Sequence, residues 1–297
     1  MGTGSKQPNF ATVGIDIGGT NIKAVALSGD NAILSHFQTP SLAHHGAVEV
    51  KRAVHKSIQH FLQLYDVIRV GVGCAGSVDH TRGVVRNSPN FSDWKNINVA
   101  AWVRELVSVP TLVDNDANCA LLAEVRMGNA RGFRNVVLLT LGTGIGGSAL
   151  IAGQVYRGST GSATELGHFS LKADGLPCPC GNTGCFERYC SASALTTSLP
   201  GFSAQEIMDR RSEEPFASVV STFKVNLMTG ITSIANIYDP DCIVLGGAVS
   251  LGLTHFLDDI GNWVRRHAFP SIGNHVTLRM TKFGHQSGAC GAALLFD

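Results

Sequence analysis

Two glycine turns set in similar apolar surroundings restrict this fold more than any other feature of the chain. "TVGIDIGGTNIKAVAL" is an apolar run, a Gly-Gly turn and a second alternating run that ends at Leu27. About 120 residues later, "NVVLLTLGTGIGGSALIAGQVYRG" repeats that order: an apolar strand, a Gly-Thr-Gly-rich turn, then an alternating strand. Glycine enters backbone regions closed to other residues, so each turn reads as a tight hairpin. Two such units predict a pair of α/β lobes, related by duplication and facing one central cleft.

The segments between and after the turns fill in those lobes. "SGDNAILSHFQ" adds a third strand to the first hairpin, making an antiparallel meander. Val50, Val54, Ile58, Phe61, Leu62 and Tyr65 recur at helical spacing, and "VIRVGVG" returns to strand. "VPTLVDNDANCALLAEVRMG" reads as a short strand, an Asp-Asn-Asp-Ala-Asn junction suited to capping, and a helix running to Gly128. Val220, Phe223, Leu227, Ile231 and Ile234 mark a later helix over 218–238. "DCIVLGGAVS" is a buried strand ending in a glycine pair, and "GACGAALLF" closes the chain as a small-residue helix. The expected division is a smaller α/β lobe over 1–115, completed by the C-terminal helix at 286–297, and a larger α/β lobe over 116–285.

Charge and hydropathy exclude several partners. Lysines and arginines number 23 against 22 acids, and no long run of one sign occurs, so neither nucleic acid nor an anionic membrane is an expected partner. A small neutral or anionic molecule is. Val136–Gly153 carries no charge over 18 residues, the length of a membrane span, but its five glycines would each weaken a helix by about 1 kcal/mol relative to alanine. Strand, turn, strand is the better reading. The first ten residues, "MGTGSKQPNF", lack a secretory apolar stretch, so the expected location is the cytoplasm, where thiols stay reduced.

The glycine turns are candidate phosphate sites. In "DIGGTNIK" the carboxylate of Asp16 stands beside backbone left bare by Gly18 and Gly19, with Thr20, Asn21 and Lys23 just beyond. Exposed amides, a hydroxyl and a cation suit phosphate oxygens, and Asp16 suits hydrated magnesium, although steric turn preference alone also explains a Gly-Gly pair. "GTGIGG" at 142–147 formally satisfies the dinucleotide fingerprint, with Glu165 as the acid, which makes an oxidoreductase a competing reading. That fingerprint requires a helix at the third glycine, whereas "SALIAGQVYRG" alternates like a strand. In "VDNDANCA", Asp114, Asn115, Asp116 and Asn118 could simply cap a helix; an acid there could also take the proton of an attacking hydroxyl.

"PCPCGNTGCFE" places Cys178, Cys180 and Cys185 within eight positions. In a chain of this length made for a reducing compartment, metal or plain burial is a better account than a disulfide framework. His168 in "ELGHFSL" supplies a fourth donor for tetrahedral zinc, with Cys190 as a further thiol and inert buried cysteines as the alternative.

Taken in order, "GIDIGGTNIKA", "NDAN", "LGTGIGGSALIAGQVYRG", "TELGH", "CPCGNTGCFE" and "IVLGGAVS" resemble the ROK family (repressors, open reading frames, kinases) over nearly the whole chain. The resemblance implies an α/β fold of the actin-like, hexokinase-like (ribonuclease H-like) ATPases. It implies a kinase that uses ATP with Mg2+ to phosphorylate a hexose at its 6-hydroxyl, with Asp116 as general base. Glucose is the expected sugar; N-acetylglucosamine, N-acetylmannosamine or fructose are alternatives, and a sugar sensor without turnover is the non-enzyme reading. By the same resemblance, Gly76, Asn90, Asn115, Asp116, Glu165, His168 and Glu187 match sugar-contacting positions. Asp16 falls on the magnesium side, Gly19, Thr20, Thr143 and Gly144 on the nucleotide phosphates, and Gly246 and Gly247 on the nucleoside. His168, Cys178, Cys180 and Cys185 match the ligands of a structural zinc. Homodimers or homotetramers are common in the family. Two departures stand near the sugar positions: Ala75-Gly76 replaces the usual Pro-Gly, and Ala163-Thr164 replaces Ala-Gly. Only about a dozen residues precede Val13, too few for the helix-turn-helix of the family's regulators, so a kinase is expected.

Overall fold

The structure is a computed structural model that describes residues 10–88 and 91–296. Its chain forms two compact units.

The first unit takes the chain as far as Met127, then Arg157–Ser162, then everything from Gln286 onward. Its strands are β1 (Phe10–Ile17), β2 (Asn21–Leu27), β3 (Ile33–Pro40), β4 (Asp66–Cys74), β5 (Ser77–Asp79), β6 (Val84–Ser88), β7 (Phe91–Asn98) and β8 (Thr111–Asn115). Five of them make one sheet in the order β3-β2-β1-β4-β8, and β5, β6 and β7 make a small antiparallel sheet. In the large sheet β3, β2 and β1 are antiparallel neighbours, while β1, β4 and β8 run parallel. The helix Ala47–Leu62 buries Val50, Val54, Ile58 and Phe61 of the predicted set, whereas Leu62 is exposed and Tyr65 lies beyond the helix end.

The second unit comprises Gly128–Tyr156 and Ala163–His285. Its strands β9 (Val136–Leu141), β10 (Ile145–Ile151), β11 (Gln154–Val155), β12 (Cys242–Gly246) and β13 (Thr277–Met280) order as β11-β10-β9-β12-β13. The pairings again run antiparallel, antiparallel, parallel, parallel. The duplication read from the two glycine turns is therefore a duplication of sheet topology. The helix Phe216–Tyr238 supplies much of the core through Val220, Phe223, Leu227, Ile231 and Ile234. Glycines 142–153 lie in and around the β9–β10 hairpin, and no helix among the described residues is long and apolar enough to cross a membrane.

The helix Asp116–Arg126 belongs to the first unit, on the other side of the boundary from one drawn at residue 115. The C-terminal helix Ser287–Ala293 explains why. It is buried along its length, and its small residues let three backbones meet. A Cβ at Gly14 or Gly71 would overlap the carbonyl of Ala289 or Ala292, and one at Gly291 would overlap the carbonyl of Cys119. Sheet, C-terminal helix and the helix after Asn115 thus pack with almost no side-chain spacer between them.

Candidate functional site

In the first unit the functional candidates collect at one edge of the sheet. The register pairs Ile17 with Cys74 and Cys74 with Asn115, so the carboxyl ends of β1, β4 and β8 lie side by side. Ligands of open α/β sheets bind outside such ends. Asp16 stands at the end of β1, Gly76 just past β4, and Asp116 opens the helix after β8.

Asp16 is held in a polarised corner. Burial and the neighbouring charge of Asp116 push its carboxyl up to about 7, against the pull of Lys23, its cross-strand partner. Gly288 comes so close that a Cβ there would sit 2.7 Å from the Asp16 carboxylate. A carboxylate whose proton affinity is raised by a second carboxylate nearby is poised for a cation that offsets the charge. The Gly18–Thr20 turn is pinned from behind. Gly18 N donates to Asn21 O at 3.1 Å, Ser41 Oγ to Gly19 O at 2.7 Å, and Ser41 N to Thr20 O at 2.9 Å.

Asn115 caps the helix. Its Oδ1 accepts from Ala117 N and Asn118 N at 2.8 and 3.3 Å, and its Nδ2 donates to Gly76 O at 3.1 Å. That bond holds the turn after β4, where Gly76 has a φ of 116° and no room for a side chain beside Asn87 and Ser88. Asp114 is buried and acts as a knot: Arg157 Nε and Nη2 donate to its Oδ2 at 2.9 and 2.6 Å, and Asn118 Nδ2 and Asn115 N to its Oδ1 at 2.9 and 2.8 Å. Arg157 is a site residue that sequence reasoning missed, being 43 positions from Asp114. The signal available was Asp114 itself, since an acid at the buried end of a strand requires a cation. Asn90 lies outside the described residues.

In the second unit the Gly142–Gly144 turn leads directly into β10, a strand that contains Gly146 and Gly147, which removes the helix that a dinucleotide fingerprint needs. The turn is gripped on two sides. Ala192 N and Ser193 Oγ donate to the carbonyls of Gly142 and Thr143 at 2.8 and 2.7 Å. Glu187 Oε2 accepts from Ile145 N at 2.7 Å and fills the space that a side chain at residue 144 would take. A tie between Glu187 and the glycine turn was not legible in the sequence. Beyond β12, Gly246 and Gly247 pack on the end of β9: Gly247 has a φ of 89° and meets the Leu141 backbone, and Val249 N donates to Leu141 O at 2.9 Å.

His168, Cys178, Cys180 and Cys185 converge, with all four ligand atoms within 4.8 Å of one another. Cys178 Sγ lies 3.7 Å from His168 Nδ1, and Cys180 Sγ lies 3.6 Å from Cys185 Sγ. Zinc bonds of about 2.3 Å to sulfur and 2.0–2.1 Å to nitrogen give tetrahedral edges of about 3.8 and 3.6 Å, so the donor set fits that ion. Burial holds the Cys185 thiol up at about 12, whereas a backbone donor from Asn182 lowers the exposed Cys180. A buried thiolate therefore wants the charge that a cation supplies. Cys190 stays outside the cluster, its Sγ against Phe223 O. The loop is tied down by Asn182 Nδ2, which donates to His168 O at 3.1 Å. On the far side of the ring, His168 Nε2 lies 4.0 Å from Glu165 Oε2, beyond hydrogen-bond reach.

The model of the ROK family matches residues 12–297. A glucokinase of Streptomyces coelicolor is 30% identical over 307 residues, 95% of this chain and 96% of that one. The xylose repressor of Bacillus spizizenii is 28% identical over 94% of this chain and 75% of its own length. Among solved structures, a ROK family glucokinase from Streptomyces griseus in complex with glucose and AMPPNP is 32% identical, with a TM-score of 0.81 over 96% of this chain and 98% of that one.

Proposed function

The chain belongs to the ROK family, with its actin-like ATPase fold, and from that premise we propose that it is an ATP-dependent hexose kinase acting on the 6-hydroxyl of glucose. The observation that carries this reading is the pair Asp16 and Asp116, brought to the carboxyl ends of β1 and β8 on either side of β4, beside a pinned glycine turn and close enough that Asp116 raises the Asp16 proton affinity. A glucokinase relative crystallised with both glucose and an ATP analogue supports the choice of substrates.

In this reading Asp116 takes the proton of the sugar 6-hydroxyl as that oxygen attacks the γ-phosphorus, and the bond to the β,γ-bridging oxygen breaks to leave ADP. Magnesium bound with ATP neutralises charge on the phosphates, and Asp16 is the carboxylate on its side. The backbones of Gly18–Thr20 and Thr143–Gly144 serve the phosphates, and Gly246 and Gly247 serve the nucleoside. Asn115 holds Gly76 and the start of the Asp116 helix, so it positions the base in addition to any contact with sugar. His168, Cys178, Cys180 and Cys185 would hold a structural zinc that would stiffen this loop, with the other ring nitrogen of His168 and Glu165 turned to the sugar.

ADP release with Mg-ATP and, separately, glucose, mannose, fructose, allose, N-acetylglucosamine and N-acetylmannosamine tests the proposal. Glucose should give the highest kcat/KM. A clear preference for an N-acetylhexosamine or fructose would keep the kinase and move the substrate. Sugar binding without turnover on any of the six would favour a sensor, the reading that the xylose repressor relative supports.

A further inference from the structure

The charged group that the site above leaves unused is Arg188. It stands in the short helix Glu187–Cys190, directly after the acid that grips Ile145. Its Nε is buried without a hydrogen-bond partner, and its guanidinium makes no ion pair among the described residues. A buried N–H left without an acceptor is costly, and a native fold keeps one where something else brings the acceptor.

Arg188 lines a cavity of about 340 Å³ between its own helix, the helix Ala192–Ser198 and the helix Phe216–Tyr238, at the small end of the range for ligand sites. Leu195 and Phe223, both buried, form an apolar wall, and Thr197, Thr222 and Asn226 add polar groups. A second cation is near: Lys172 Nζ lies 4.6 Å from the centre of the Tyr189 ring, which also lines the cavity. Tyr189 Oη accepts from Leu176 N at 2.7 Å, which leaves its hydrogen to donate elsewhere. No lining residue is acidic. One carboxylate does reach a lining residue, since Glu214 accepts from Ser218 Oγ at 2.8 and 3.0 Å.

We propose that this cavity binds a small phosphate monoester, its phosphoryl oxygens on Arg188 and its carbon body against Leu195 and Phe223. A lining cation without an acidic partner matches an anion, and a guanidinium fork matches phosphate geometry.

The test is calorimetric titration of the full chain with glucose 6-phosphate, phosphoenolpyruvate and inorganic phosphate, each alone and with excess AMPPNP. At least one monoester should bind with a Kd that AMPPNP leaves unchanged and that rises at least tenfold in R188Q. Thr222→Leu, which fills the cavity and keeps the arginine, should do the same and decides the matter if R188Q fails to fold. The two monoesters separate a sugar phosphate from a non-sugar one. Absence of binding by every probe, binding untouched by both substitutions, or inorganic phosphate binding as tightly as the monoesters would each overturn the proposal. Turnover is not read, so failure of the kinase assignment leaves this test standing.

Discussion

At the residue scale the two acids of the first unit pull stability and chemistry in opposite directions. Asp16 has a folded pKa raised from 3.8 to about 7 by burial and by Asp116, so the folded state holds its proton more tightly than the unfolded one. Stability then falls as pH rises through that window. The carboxylate is only partly shielded from water, so an uncharged isostere at this position should gain about 1–3 kcal/mol at pH 8 and almost nothing at pH 4. Urea unfolding of wild type and D16N in magnesium-free buffer at both pH values checks this, and a pH-independent difference would reject it. Added magnesium should narrow the gap, because a cation offsets the same charge. Asp116→Asn should instead keep sugar affinity within about threefold and lower kcat by about 10²–10⁴, the range for losing a general base; near-full activity would remove Asp116 from that role. Both acids were legible because each flanks a turn or cap whose residue types are constrained locally. Arg157 and the Glu187–Ile145 bond were not, because both join segments 42 or more positions apart and neither leaves a periodic trace.

At the scale of an element, the loop from His168 to Cys185 has little apolar burial of its own and is held by backbone bonds, Asn182 and its four donors. Structural zinc contributes folding free energy directly, so elemental analysis should find about one zinc per chain. Removing it with a chelator should lower the melting temperature by several degrees and open 170–185 to proteases, with β9 and β12 still protected. Chelated protein with unchanged melting and unchanged cutting would reject the site. The thiol spacing was legible because three cysteines fall within eight positions, spacing alone left Cys190 open beside His168, and the family resemblance already pointed to His168, the donor that the fold brings to the three thiols. The glycine turn beside this loop gives a sharper substitution. Gly144→Ala places a methyl group where Glu187 Oε2 sits, so the bond to Ile145 N must break. Its expected mark is a kcat loss of tenfold or more with little change in melting, and wild-type kcat would show that the turn does not depend on Glu187.

For the whole molecule, duplication was the most legible property, because strand, glycine turn and strand are local patterns and each fixes an antiparallel hairpin. The boundary between units was not, since nothing local marks that the chain returns to the first unit at Arg157–Ser162 and again at Gln286. Those returns make the last dozen residues part of the first folding unit. Ser287–Ala293 covers β1 and β4 by direct backbone contact at Gly14 and Gly71, so no other segment can fill that surface without repacking. Deleting residues 286–297 should therefore unfold the first unit while the second, whose core residues all lie within 128–285, keeps its own. Hydrogen exchange reads the two separately: amides of β1, β4 and β8 should lose protection and those of β9, β10 and β12 should keep it. Gly71→Ala is the graded version, because its methyl group overlaps the Ala292 carbonyl, and it should cost about 3 kcal/mol or more by overpacking. A truncated chain with β1 and β4 still protected would mean that the first unit folds on residues before 286 alone, and the C-terminal helix would then be a cover added to a finished sheet.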